Sequence, residues 1–113
     1  MKKHYTHSDG GCFLFGNKDF SFKLPNNYGD CRNTVLIFDN KEEFVIYLKE
    51  KYKEDFCDRS FVWQTTIEAK FNLYNYDCCH MEAKDIKARF DGRYSIYLRS
   101  VRGEYPVLAI VKG

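Results

Sequence analysis

The chain has 113 residues, of which 44% are hydrophobic and 18% aromatic, and its formal net charge is +2. This composition excludes a disordered chain, and the length is sufficient for one domain with its own core. The longest apolar runs, VLIF and PVLAIV, are too short to cross a bilayer, and no apolar run follows the first basic residues. We therefore expect a cytoplasmic protein whose five cysteines are free thiols.

Two ranges describe the domain organisation that the sequence predicts. Residues 1–11 are mostly polar and end in two glycines, so we expect a loose N-terminal arm. Residues 12–113 contain no linker, repeat or low-complexity segment. They are expected to form a single domain.

The first predicted element is a hairpin over residues 12–24. A loop at Asn17 and Lys18 places Phe15 opposite Phe20, so that aromatic side chains share one face of the hairpin.

A buried strand followed by a helix is predicted next. Residues 34–38, TVLIF, are apolar without alternation, which is typical of a strand covered on both faces. A capping-box pattern follows, formed by Asp39 or Asn40 with Glu42 or Glu43. Apolar side chains then recur at helical spacing, at Phe44, Tyr47, Leu48 and Tyr52. This pattern predicts a helix over about residues 41–54.

Two further strand patterns lie in the second half of the chain. Apolar and polar residues alternate over 61–73, which predicts a long strand with Phe61, Trp63 and Ile67 on its dry face. The last element is a hairpin with its turn at Arg102 and Gly103. In the predicted register, Leu98 faces Val107, Ile96 faces Ala109 and Tyr94 faces Val111.

The segment before this last hairpin admits two interpretations. As a strand, 84–90 would pair with 93–99 through a turn at Asp91 and Gly92, but Lys87 would then lie beside Ile96. As a helix, the segment forms an apolar stripe of Cys79, Ala83, Ile86 and Phe90, with Asp77 as its cap and Gly92 after its end. We therefore predict a shorter helix over about residues 79–90.

Together these elements predict an α+β fold. It consists of a mostly antiparallel sheet of about five or six strands with one long and one shorter helix.

The stretch NYDCCHMEAKDI contains the residue types of a metal site or of a reactive thiol. Cys78 and Cys79 are adjacent, and side chains at a helix start diverge by about 100°, so one ion does not easily bind both. Cys79 lies on the apolar stripe, and His80 adjoins the pair without a further base to orient it. We therefore expect no metal and no cofactor, and the reactivity of Cys78 stays open.

The candidate binding site lies in the basic C-terminal half. Residues 82–102 contain six basic and three acidic side chains. In the predicted hairpin, the face opposite the apolar pairs carries Arg93, Tyr97 and Arg99, with Lys112 across from Arg93, and Arg89 and Arg102 nearby. Cations beside an aromatic ring suit nucleic-acid phosphates and stacked bases, or an acidic protein surface. The alternative is a solvated sheet face on which a helix covers Tyr97.

The chain contains no phosphate-binding loop, nucleophile elbow or zinc-protease motif. We therefore predict a small non-enzymatic binding protein that occupies a macromolecular partner, protein or nucleic acid, as an inhibitor, adaptor or accessory factor. The alternative function is a small nuclease-like enzyme that uses the same basic face with His80.

Lysines outnumber arginines two to one, a usage typical of AT-rich coding sequence and of viruses or mobile elements. An edge strand is compatible with a dimer, so the oligomeric state stays open.

Overall fold

The computed structural model describes residues 3–7, 11–18, 21–23, 33–53, 60–77 and 82–113. In chain order the elements are β1 (Lys3–His7), β2 (Gly11–Gly16), β3 (Ser21–Lys23), β4 (Asn33–Phe38), α1 (Lys41–Tyr47), β5 (Val62–Asp77), β6 (Glu82–Arg99) and β7 (Val107–Lys112). A π-helical turn, Leu48–Tyr52, continues α1. The strands form one sheet in the order β1-β4-β7-β6-β5-β2-β3. Among these strands β4 and β7 pair in parallel and the other neighbours are antiparallel.

The sheet curls, so that strands from its two ends approach each other. β2, near one end of the strand order, contacts β1 and β4 at the other end. Phe15 of β2 therefore shares a buried cluster with Val35 and Ile37 of β4. The rest of this concave-face cluster comes from the strands between them: Ile67, Phe71, Leu73, Phe90, Tyr94, Ile96, Leu108 and Ile110. The predicted α+β fold is thus confirmed in outline, with a mixed sheet and, among the described residues, one helix in place of two.

Helix α1 packs on the opposite, convex face of the sheet. Its side chains Phe44 and Tyr47, with Leu48, are buried against residues of β4, β6 and β7 and the residue before β5: Leu36, Phe38, Tyr97, Ala109, Val111 and Phe61. β4 contributes to both clusters, since Val35 and Ile37 face one side and Leu36 and Phe38 the other. The prediction of a strand at 34–38 covered on both faces is confirmed.

The helix predicted over about residues 41–54 is present as α1 and the π-helical turn, which together span residues 41–52. The Asn40 side-chain oxygen accepts a hydrogen bond from the Glu43 backbone N–H at 2.8 Å. The Glu43 carboxylate in turn accepts from the Asp39 backbone N–H at 3.3 Å. These bonds satisfy donors that have no partner within the helix. The helical segment ends after the π-helical turn, where Lys53 adopts a left-handed conformation with φ of 57°.

Both predicted hairpins form, but their registers differ from the predicted ones. In the first, Phe15 pairs with Phe22 in place of Phe20, because the connection between the strands is longer than two residues. In the second, Leu98 pairs with Leu108 and Ile96 with Ile110. This one-residue shift exchanges the two faces of β7. Because residues 107–111 are apolar on both faces, their pattern does not distinguish the two registers.

The predicted helix at 79–90 is wrong for the residues that the structure describes. Glu82–Arg99 form one continuous strand, β6. Neither a helix nor a turn interrupts it at Gly92, which has φ of 122° and stays within the ladder opposite Ala69. The apolar residues on both sides of this glycine share a period of two: Ala88, Phe90, Tyr94, Ile96 and Leu98. Cys78, Cys79 and His80 lie outside the described residues.

The N-terminal segment contributes to the sheet. Residues 3–7, which fall within the predicted loose arm, form β1 and pair with β4 along their whole length. The long strand predicted at 61–73 is present as β5 and extends to Asp77.

Candidate functional site

Tyr97 does not belong to an exposed binding face. Its side chain is only 8% exposed, and its ring lies 5.2 Å from the ring of Phe44 in α1. Helix α1 covers this residue, which corresponds to the alternative of a covered sheet face that the sequence left open. Tyr97 therefore has no free ring face on which a base could stack.

Arg99 is held by contacts within the chain. Its guanidinium lies 4.0 Å from the ring centroid of Tyr52, in the π-helical turn. Its Nε and Nη2 atoms donate hydrogen bonds to one carboxylate oxygen of Glu104, at 3.2 and 2.8 Å. With the side chain 12% exposed, these contacts serve the packing of the β6–β7 turn against the helical segment.

The remaining predicted site residues are exposed but lie in different places. Arg89 and Arg93 lie on the convex face of β6. Arg102 lies in the turn between β6 and β7. Lys112 pairs with Tyr94 and not with Arg93, because of the shifted register. The fold thus brings together Arg89 and Arg93 out of the predicted set.

Arg89 and Arg93 belong to a two-stranded polar surface that we call the open face. It is built from cross-strand pairs of β5 and β6: Thr66 with Ser95, Glu68 with Arg93, Lys70 with Asp91, and Asn72 with Arg89. The hydroxyls of Thr66 and Ser95 lie 3.4 Å apart. Trp63 borders this surface at one end and Tyr74 at the other, where the Tyr74 hydroxyl accepts a hydrogen bond from Asn72 at 3.1 Å.

The open face carries charges of both signs. Lys70, Arg89 and Arg93 give three positive charges, and Glu68 and Asp91 give two negative ones, so its net charge is +1. All five of these side chains are exposed. Opposite charges directly across an antiparallel pair are mutually favourable. This surface is therefore a ladder of alternating charge and not the basic patch that the sequence predicted.

Trp63 is the functional candidate that the sequence did not reveal. The alternation over 61–73 placed it on the dry face, but the ladder shifts between Trp63 and Thr65, where Gln64 forms a bulge. As a result Phe61 packs under α1, while Trp63 lies beside it and is 56% exposed. The indole N–H donates a hydrogen bond to the Thr66 hydroxyl at 3.2 Å. The ring is thus held along the open face.

A groove of about 390 Å³ opens in the middle of the ladder. It is lined by the residues of three consecutive cross-strand pairs: Lys70, Phe71, Asn72, Arg89, Phe90 and Asp91. Beneath it, on the concave face, the rings of Phe71 and Phe90 are stacked with centroids 4.7 Å apart. Their packing fixes the floor of the groove in place.

A second concavity, of about 220 Å³, lies along α1. Its lining combines two carboxylates with apolar and phenolic side chains: Phe38, Glu43, Ile46, Tyr47 and Glu50. Ile46 is 54% exposed there. Nothing in this concavity continues the cross-strand pattern of the open face.

Within the described ranges, no three His, Cys, Asp or Glu side chains converge closely enough to hold a metal ion. The helical segment that the structure describes is too short and polar to cross a membrane. No family model, curated protein or solved structure matches this chain.

Proposed function

We propose that this protein is a small non-enzymatic binding protein that occupies a protein partner through the open face. The observation that supports this most directly is Trp63, an exposed indole held by Thr66 at the end of a sheet surface that α1 does not cover. Tryptophan provides a large contact area at a low cost in side-chain entropy and is enriched at binding hot spots.

The charges of the open face support a protein partner over a nucleic acid. Protein surfaces that bind nucleic acid gain most of their affinity by neutralising phosphates with positive charge. A net charge of +1 neutralises few phosphates. Tyr97 and Arg99, the residues expected to stack on bases and contact phosphates, are engaged by α1 and by Tyr52 and Glu104. Alternating charges instead favour a partner surface whose charges alternate in the complementary order, because a partner with another charge order would place like charges together. The inhibitor, adaptor and accessory roles are all compatible with such an interaction.

The first test compares Trp63→Ala with Ile46→Ala. The control removes an equally exposed apolar side chain from α1, away from the open face. We expect at least one protein co-purifying from nuclease-treated lysate of the native host to be reduced about 30-fold by Trp63→Ala, the loss typical of a hot-spot tryptophan. The same protein should be retained by Ile46→Ala, as quantified by mass spectrometry.

Two outcomes contradict the proposal. Equal recovery of all partners by both variants would show that Trp63 is not an anchor. Recovery of labelled RNA or DNA that is lost on double reversal, Arg89→Glu with Arg93→Glu, would identify a nucleic-acid ligand, and its turnover would point to the nuclease alternative.

A further inference from the structure

Among the strands that the structure describes, none pairs with one side of β6 over residues 82–93. β6 extends from Glu82 to Arg99, but β7 pairs with it only from Tyr94 onward. This edge adjoins the arginines of the open face.

The backbone groups along this edge point outward at alternate residues. The Arg93 carbonyl accepts a hydrogen bond from the Gly113 N–H at 3.0 Å, so it points away from β5. Because the direction alternates along a strand, the N–H and C=O groups of Asp91 and Arg89 also point away from β5. An independent contact agrees: the Lys70 carbonyl, across from Asp91, accepts from the Asn17 side chain at 3.2 Å and so points away from β6.

The edge that the described strands leave unpaired has a defined length. At one end, Gly113 already occupies the position beside Arg93. At the other end, the regular β5–β6 ladder is interrupted after Ala88, where Leu73 and Tyr74 mark a register shift. The regular edge therefore spans residues 88–92, which is the length of a short strand.

We infer that the protein partner binds by adding an extended segment to β6 along residues 88–92, in line with β7. This inference rests on the proposed function and specifies how the partner is held. Strand addition would use the backbone groups of Arg89 and Asp91, and side chains at alternate positions would select the segment.

The side chains of the edge specify the sequence of that segment. On the convex side, charge complementarity requires a basic residue across from Asp91 and an acidic residue across from Arg89. On the concave side, the residue across from the buried Phe90 should be apolar. The groove beside Arg89 and Asp91 gives the two charged side chains room to lie across the open face. The partner segment is thus a basic–apolar–acidic strand.

A second copy of this chain fits the edge less well. Two β6 edges meeting with Arg89 across from the copy's Asp91 place Lys87 across from Arg93, so like charges meet at both ends. Gly113 also occupies that position. A segment of another protein has neither constraint.

Amide hydrogen exchange measured by NMR on the full chain tests the edge directly. In the free protein, the Arg89 and Asp91 amides should exchange at least tenfold faster than those of Phe90 and Gly92, which point toward β5. A blocked pentapeptide of sequence Thr-Lys-Val-Glu-Val, at millimolar concentration, should slow exchange at Arg89 and Asp91. Its charge-swapped counterpart, Thr-Glu-Val-Lys-Val, should slow it less.

Other results would overturn the inference. If the Arg89 and Asp91 amides exchange as slowly as the Phe90 amide in a dilute solution of the free protein, the chain covers its own edge. Protection that rises with protein concentration alone would identify a second copy as the occupant. No change with either peptide at saturating concentration would exclude strand addition of this chemistry.

A pair of variants separates this inference from the proposed function. Arg89→Pro removes an outward N–H that makes no bond with β5, whereas Arg89→Gln removes only the charge. We expect Arg89→Pro to reduce capture of the Trp63-dependent partner at least tenfold more than Arg89→Gln. If Trp63→Ala releases the partner and Arg89→Pro does not, the partner lies on the open face alone, and strand addition is wrong while the proposed function stands.

Discussion

Tyr47 is a buried phenol whose ionisation is strongly suppressed in the folded chain. It lies between α1 and the sheet, with its ring 5.4 Å from that of Phe38. Burial raises the pKa of the Tyr47 phenol well above its ordinary value, and the hydrogen bond with the Tyr52 hydroxyl at 3.4 Å raises it further, while the nearby Arg99 charge lowers it. The folded chain therefore strongly favours the neutral phenol.

This shift makes stability depend on pH at the alkaline end. Because the folded-state pKa is raised above the unfolded value of about 10, the contribution of Tyr47 is complete below pH 10 and is lost as pH rises further. Between pH 9 and 11 we expect the wild-type chain to lose about 1.4 kcal/mol more unfolding free energy than Tyr47→Phe, which cannot ionise. Urea unfolding at several pH values measures the difference.

Tyr105→Phe is the matched control, since it removes a phenol from an exposed position. Its pH dependence should follow that of the wild-type chain. If the unfolding free energies of the wild-type chain and of Tyr47→Phe change in parallel up to pH 11, the pKa of Tyr47 is not raised by folding.

Arg99 shows why residue type alone did not identify the binding site. An arginine near an aromatic ring and an acid suits both a ligand contact and an internal one. The internal partners, Tyr52 and Glu104, come from the π-helical turn and the β6–β7 turn. Their proximity depends on how α1 lies on the sheet, which no local pattern in the sequence specifies.

At the level of elements, β6 depends on Gly92. A glycine after a run of helix-forming residues resembles a helix end, and Asp-Gly resembles a hairpin turn. Yet the period-two pattern of Ala88, Phe90, Tyr94 and Ile96 passes through it without a change of phase. Across the glycine, the rings of Phe90 and Tyr94 lie 5.2 Å apart, although a straight strand separates such positions by about 13 Å. The strand is continuous because Gly92 permits a backbone conformation that other residues rarely adopt.

Substitution of this glycine should destabilise the fold through the backbone alone. A Cβ at Gly92 would meet no atom within 4 Å, so the cost of Gly92→Ala comes from its φ of 122°. We expect the unfolding free energy to fall by about 1–3 kcal/mol. The neighbouring control Asp91→Ala, exposed and without positive φ, should change it by less than about 0.5 kcal/mol. Chemical denaturation of both variants distinguishes them; equal stabilities would show that β6 accommodates an ordinary φ at this position.

The elements that the sequence predicted correctly are those with strong local signals. Asn40 and Glu43 mark the start of α1, and the apolar run at 34–38 marks a doubly covered strand. The features that the sequence did not predict depend on how distant segments pair. The bulge at Gln64 exposes Trp63, and a one-residue register shift moves Lys112 away from Arg93. For the candidate site, the excess of basic residues over 82–102 pointed to Arg89 and Arg93, but not to the residues across the ladder from them, Asn72 and Glu68.

At the scale of the whole molecule, β4 and β7 are the paired strands that lie farthest apart in the sequence among those described. Their parallel pairing joins Thr34 to Val107, whereas the β5–β6 pairing begins at Asp77 and Glu82. Closing a loop of roughly 70 residues costs about 2 kcal/mol more chain entropy than closing one of roughly five. Chain entropy therefore favours formation of the β5–β6 pair before the parallel pair.

This order of assembly should be visible in folding kinetics. Ile67→Val in β5 and Ile110→Val in β7 each remove one buried methylene, at a cost of about 1 kcal/mol. Stopped-flow refolding should be slowed mainly by Ile67→Val, while Ile110→Val should mainly accelerate unfolding. The opposite pattern would mean that the parallel pair nucleates folding. In the expected order, the ribbon that carries the open face forms early, and the joining of β7 to β4 is the late step that completes the sheet.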